Sequence, residues 1–254
     1  MHFFVLFFLG MFFLPAFGET QDSILITKFS AGDEIIFDGK WSSSLEWKPT
    51  SLNEIKTEND RVVIRTAHQE NFVYVMLDVI SDTTPSKNDK AIVCFDTLND
   101  KSSKFQIDDY CFEAMMNSRN GKIYNGQEDT LKQITQKNSE FIGVGGISDE
   151  NDRYSKVPHS VYEFRIPTDI IGRNNNYGFA LQVNDDGTLV SWPANIDAEI
   201  SSTSPLEWGN LISPDKSLPE FDLTIATLII MISLGLLLSK LKQVTNTKLF
   251  YLNH

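Results

Sequence analysis

Apolar and polar residues alternate with a period of two through the middle of the chain, as strands buried on one face require. The clearest runs are 61–67 (RVVIRTA) and 71–80 (NFVYVMLDVI), joined as a hairpin through His68-Gln69-Glu70. Further strand-like runs stand at 91–96, 110–116, 140–147, 160–166, 177–184 and 188–192, and a run at 206–212 closes a sheet. Asp185-Asp186-Gly187 between two of them is a strong turn signal. Helix signals are few: one turn at 168–172, and a polar, weakly amphipathic stretch at 129–137. About nine short strands with polar loops predict an all-β fold, an antiparallel β-sandwich of the jelly-roll kind.

The two ends break this pattern. Residues 1–18 (MHFFVLFFLGMFFLPAFG) hold seven of the 18 Phe in the chain; they are apolar from Phe3 to Leu14, and Pro15 and the small residues Ala16 and Gly18 follow. This is the h-region and cleavage site of a secretory signal, with the cut expected after Gly18. Residues 223–238 (LTIATLIIMISLGLLL) carry no charge, Ser239 extends the run, and Lys240 and Lys242 follow. At roughly 1.5 Å per residue the run spans about 25 Å, the low end for a bilayer crossing, and its lysines can snorkel. All the lysines beyond Leu223 come after the run and the acidic body comes before it. Such an asymmetry marks an exported body with a cytoplasmic tail.

Charge sharpens the picture. Residues 19–218 hold 19 basic and 32 acidic side chains, a net charge of −13, against −12 for the whole chain of 254 residues. Two hundred residues make one domain able to bury a core. An acidic surface without a basic stripe repels phosphate backbones, so nucleic acid is excluded as a partner, while cations are favoured. The expected organisation is a signal peptide at 1–18, a linker at 19–32, the sandwich at 33–213, a second linker at 214–222, a transmembrane helix at 223–239 and a tail at 240–254.

In an exported protein the two cysteines read as a candidate disulfide. If the hairpin holding 91–96 and 110–116 turns at Ser102 and Ser103, Cys94 and Cys111 face each other, and a bridge closes that loop for about 3 kcal/mol in the chain-entropy model. Two buried free thiols are the alternative. No Cys-x-x-Cys, Gly-x-Ser-x-Gly, His-Glu-x-x-His or Walker loop occurs, so no hydrolase, redox or nucleotide signature is present. Gly143-Val144-Gly145-Gly146 lacks the dinucleotide spacing and reads as a bulged strand. The four histidines, His2, His68, His159 and His254, are scattered, and no zinc site or catalytic triad is expected.

Several runs in order resemble a known family. They are Ile36-Phe37-Asp38-Gly39 with Glu46-Trp47; Phe72-Val73-Tyr74-Val75 with Asp78; Asn88-Asp89 leading to Val93-Cys94-Phe95-Asp96; Tyr162-Glu163-Phe164-Arg165-Ile166-Pro167; Gly178-Phe179-Ala180-Leu181-Gln182-Val183-Asn184-Asp185; Trp192; and Pro205-Leu206-Glu207-Trp208-Gly209-Asn210-Leu211. Together, over about 35–212, the chain resembles family 9 carbohydrate-binding modules and the wider DOMON-like β-sandwiches. Pro219-Glu220-Phe221 before the apolar run and lysines resembles the tripartite sorting signals of archaeal surface proteins processed by an archaeosortase. Whether the helix is retained or removed, the body is held at the outer surface of the cell membrane.

The resemblance implies a sugar held between two tryptophans near a sheet edge, with structural calcium in loops. Trp192 corresponds by position to one clamp tryptophan, with ordinary packing as its alternative role. The other tryptophan would stand just before Asp89, where the sequence has Pro85-Ser86-Lys87-Asn88. Ile92 replaces an acidic side chain and Glu113 a basic one, so the same ligand is expected to bind weakly. Asn184 and Asp89 are the remaining expected ligand contacts. For calcium, Asp96 with Asp108 or Asp109 is the expected set, because the hairpin brings hard oxygen ligands together and the family is acidic there. Some DOMON-like relatives bind a b-type haem. Met76, Met115, Met116 and His68 are the axial candidates here, but core filling accounts for their alternating positions and haem is not expected. The resulting expectation is a non-catalytic, surface-anchored module for a glycan or other cell-envelope component. A haem-binding electron-transfer domain and a purely structural envelope protein are the alternatives.

Overall fold

The computed structural model describes residues 22–29, 35–43, 45–135 and 140–214. The expected signal at 1–18, the Pro219-Glu220-Phe221 motif, the helix at 223–239 and the tail at 240–254 lie outside the described residues.

The chain forms β1 (Ser23–Leu25), β2 (Thr27–Lys28), β3 (Ser51–Lys56), β4 (Arg61–Gln69), β5 (Phe72–Val79), β6 (Lys90–Asp96), β7 (Asp109–Met115), β8 (Lys122–Gln127), β9 (Thr130–Ile134), β10 (Ile142–Ile147), β11 (Ser160–Pro167), the single turn α1 (Thr168–Ile171), β12 (Asn176–Asp185), β13 (Thr188–Trp192) and β14 (Gly209–Ile212). One sheet runs β1-β14-β12-β6-β7-β8-β9, with β13 also on β12; the second runs β10-β11-β5-β4-β2, with β3 also on β4. The two pack face to face as a sandwich. Period two places Val73, Val75, Leu77 and Val79 of β5 in one core with Val93 and Phe95 of β6, Phe112 of β7, and Phe179, Leu181 and Val183 of β12.

Both sheets are also covered on their outer faces, which is why β4, β5 and β12 are buried almost continuously. Trp41, Trp47, Met76 and Val161 form an outer cluster on the second sheet. Cys94, Cys111, Ala180, Ile196, Ile200 and Trp208 form another on the first. On the second sheet the organising group is the buried carboxylate of Glu163. It accepts hydrogen bonds from Asp38 N (3.0 Å), Gly39 N (2.8 Å) and Trp47 Nε1 (2.9 Å). Gly39 sits at φ 80°, and a Cβ on Gly146 of β10 would lie 2.6 Å from its carbonyl oxygen. Two glycines let these backbones touch.

The structure departs from the sequence expectations in four places. The sheets are mixed: β1 pairs with β14 and β2 with β4 in parallel, so the chain at 23–28 steps from one sheet to the other inside the stretch read as a linker. Residues 130–134, read within a helix, are the edge strand β9. Its exposed Lys and Gln need no buried stripe, so periodicity is uninformative there. Leu206 lies in a 3-10 turn, Pro205–Glu207, and the closing strand starts only at Gly209. β10 keeps an unbroken residue-for-residue register with β11, so its glycines make close approaches and no bulge.

Cys94 and Cys111 stand opposite each other in the β6–β7 ladder and form a disulfide, with Cα atoms 4.1 Å apart. Replacing both by Ala is expected to lower the unfolding free energy by about 3 kcal/mol, read from the urea midpoint; an unchanged midpoint would contradict the bridge. Glu163→Ala strands two buried N–H groups and one half-buried one, and a loss of about 3 kcal/mol is expected in the same measurement. A loss below about 1 kcal/mol would remove Glu163 from its organising role.

Candidate functional site

The outer face of the first sheet carries an open cleft, about 160 Å³, lined by Lys90 and Ile92 of β6, Glu113 of β7, Tyr124 of β8, Leu131 of β9, Gln182 and Asn184 of β12, and the 199–201 turn. Strand register builds its floor. Gln182 pairs with Ile92, Ile92 with Glu113, and Glu113 with Lys122, so these side chains form one row across four strands. The adjoining row is Ala180, Cys94, Cys111 and Tyr124, which sets the disulfide beneath the tyrosine.

Gln182 forms the wall. Its Nε2 donates to Ala198 O (2.7 Å) and Ser191 Oγ (2.9 Å), and its Oε1 accepts from Ile200 N (3.1 Å). With both N–H groups and one acceptor position used, Gln182 fixes the 198–200 backbone and keeps one acceptor position of Oε1. Glu113 is 4% exposed and lies between Lys122 Nζ (2.7 Å) and Lys90 Nζ (3.6 Å), so its charge is neutralised within the cleft. Burial and the neighbouring Glu113 raise the Tyr124 hydroxyl above the usual phenol range. The result is an apolar floor of Ile92, Leu131 and Ile200, one aromatic ring, and a polar rim of Asn184, Lys90, Glu113, Glu199 and Ser201.

Of the ligand contacts read from the sequence, Asn184 lines this cleft. Trp192 does not. It pairs opposite the core residue Leu181, packs on Phe179 (ring centroids 6.0 Å apart) and touches the bare backbone of Gly209, on the inner side of the sheet. Pairing parity gives it a packing role, while its neighbour Ser191 faces outward. Asp89 is fully buried: it caps the preceding loop through Ser86 and binds Asp186 N (3.0 Å), tying that loop to the β12–β13 hairpin. It meets Asp82 and Asp185, not the cleft.

The expected cation ligands come together in part. Asp96 and Asp108 lie with Asp100 in one cluster whose oxygens are within 4.8 Å of one another. Asp109 pairs opposite Asp96, and burial, helped by Asp96, Asp108 and Asp100, pushes its carboxyl up to about 7. Asp108 Oδ2 and Asp109 Oδ1 are buried without hydrogen-bond partners. These donors are all hard oxygens, the set that suits calcium. The haem candidates do not converge: Met76 packs with Trp41 and Trp47 outside the second sheet, Met116 in the core, and Met115 beside Lys122 on the first sheet.

Sequence reading missed two features. Tyr124 and Leu131 belong to strands whose alternation is weak, so their faces were not legible. Asp78, Asp152 and His159, far apart in sequence, form a buried group with ligand atoms within 4.8 Å of one another. A wider concavity of about 450 Å³ on the second sheet holds Phe37, Tyr74 and Arg165. Its aromatic faces are already used, because Phe37 stacks on Tyr74 and Arg165 lies over Phe37 and Phe72.

No protein-family model matches the chain, and no curated protein matches it. Among solved structures it is similar to a family 9 carbohydrate-binding module from Caldicellulosiruptor kristjanssonii in complex with cellotriose, at 15% identity and a TM-score of 0.47, over 76% of this chain and 93% of that one. The same comparison finds a module of that family and organism in complex with glucose, at 14% identity and a TM-score of 0.48, over 76% of this chain and 95% of that one. At this identity and overlap the likeness carries no argument about function.

Proposed function

We propose that the protein is a non-catalytic binding module, exported and anchored at the outer face of the cell membrane by residues 223–239, that takes one sugar ring of a glycan in the Tyr124 cleft. The observation that carries this reading is the cleft's composition. An apolar floor and one aromatic ring match the apolar face of a pyranose, and the rim supplies donors and acceptors for its hydroxyls. Its 160 Å³ falls below the roughly 300–1,000 Å³ of pockets for larger ligands, so it fits one terminal ring rather than a chain laid along a groove. Lys90 and Lys122 flank Glu113, and Glu199 lines the same cleft, so two positive charges meet two negative ones, which favours an uncharged sugar.

Calcium in this reading is structural, and it would be held by Asp96, Asp100 and Asp108, with Asp109 beside them. It would neutralise carboxylates that the β6–β7 hairpin forces together.

Two measurements test these roles. On a panel of immobilised glycans, the full-length protein is expected to bind neutral terminal sugars. Tyr124→Ala should weaken that binding about tenfold, the loss of about 1.4 kcal/mol of stacking, while Tyr124→Phe should retain most of it. No sugar bound, or equal binding by Tyr124→Ala, would end the proposal. Adding Ca²⁺ to chelator-treated protein should raise its melting temperature by several degrees, and Asp108→Asn should abolish that rise. An unchanged melting temperature would contradict the calcium assignment.

A further inference from the structure

His159 precedes β11 and is buried, as are Asp78 at the end of β5 and Asp152 in the 148–159 loop, all on the outer side of the second sheet. Backbone geometry orients each group. His159 Nδ1 lies 2.7 Å from Val157 O and 2.9 Å from Ser148 Oγ; the carbonyl accepts only and the hydroxyl can also accept, so a proton on Nδ1 suits both contacts. Its Nε2 then faces the carboxylates of Asp78, in direct contact, and Asp152, 3.8 Å away. Asp152 Oδ1 is fixed by Tyr154 N (2.7 Å) and Ser155 N (2.9 Å), which turns Oδ2 inward. Asp78 Oδ2 and Asp152 Oδ2 are both buried and neither has a hydrogen-bond partner.

A ring nitrogen pointed at two carboxylates is repulsive unless a cation lies between them. A proton on Nε2 supplies one charge against two, and a second proton, shared between the adjoining carboxyls of Asp78 and Asp152, would be needed to partner their Oδ2 atoms. A divalent ion balances both carboxylates and gives the lone pair and the two stranded oxygens a common partner.

We propose that Asp78, Asp152 and His159 form a buried site for one divalent transition-metal ion, Zn²⁺ being the chemistry that fits. The imidazole selects such an ion over calcium, which takes oxygen ligands. Nδ1–H donated to a backbone carbonyl is the outer-shell bond that sets a metal-binding histidine's tautomer. Bonds of about 2.0–2.2 Å place neighbouring ligands of a tetrahedral ion about 3.3 Å apart, so Asp78 and His159 separate slightly on loading while Asp152 draws in. The metal clamps the 148–159 loop onto β5, and its role is structural. The site is independent of the glycan cleft, which lies on the other sheet.

Untagged full-length protein, stripped with a chelator and titrated with Co²⁺, tests the site. The expected result is one equivalent bound with visible ligand-field bands, displaced by Zn²⁺, and no such bands in His159→Gln or Asp152→Asn. Absence of saturable binding, or bands unchanged in both variants, overturns the proposal. Because either variant could unfold, X-ray absorption of the cobalt-loaded wild-type protein provides a second reading. One imidazole in a nitrogen and oxygen shell supports the site, and a shell without imidazole rejects it.

Discussion

Strand β12 carries the constraint on which the rest depends, because it must bury both of its faces. Phe179, Leu181 and Val183 point into the core, and Ala180, Gln182 and Asn184 point outward beneath the returning chain at 193–208. A buried outward glutamine has to find partners. Gln182 finds them in the backbone at Ala198 and Ile200, and thereby holds the segment that forms the cleft wall. Where that segment stops, between the 199–201 turn and Tyr124, the sheet is left open. The cleft is the gap left between that segment and the β8–β9 edge.

The second sheet solves the same problem with carboxylates. Glu163 gathers the Asp38-Gly39 turn and the Trp47 indole. Glu46 gathers Ile36 N (2.6 Å) and Ser42 N (2.7 Å). Arg65 stacks over Trp41 and Tyr154 and so joins the 35–50 segment to the 148–159 loop. Burial raises both glutamates above the usual carboxylate range, and the N–H donors offset part of that cost. The Asp-Gly, Glu-Trp and Tyr-Glu-Phe-Arg runs that gave the sequence its familiar look are thus parts of one scaffold. They specify the fold and say little about a ligand.

That division explains what was legible in the sequence. The strands rich in apolar and β-branched residues, β4 to β7 and β10 to β13, could be read because their burial demands such runs between polar turns. β3, β8 and β9 lie toward sheet edges where polar residues suffice, and β1 and β2 are too short for a period to show. Site residues were harder to read. Trp192 reads as a platform because it matches by position a clamp tryptophan of the resembled family, but register places it opposite Leu181 on the core side. Asp96 could be set against Asp108 or Asp109 from hairpin geometry together with the family resemblance, and the ladder pairs it with Asp109 while Asp108 joins its cluster. His159 could not be joined to Asp78, 81 positions away, without knowing that β5 and β11 are neighbours.

The central claim is that ligand enters on the first sheet, over Ile92, Leu131 and Ile200, and not in the aromatic concavity of the second. Methyl chemical-shift mapping of the isotope-labelled protein against a bound neutral saccharide tests it most directly. The account predicts shifts of the Ile92, Leu131 and Ile200 methyls with Ile35, Ile36 and Ile142 unmoved. Shifts confined to Ile35, Ile36 and Ile142 would contradict it.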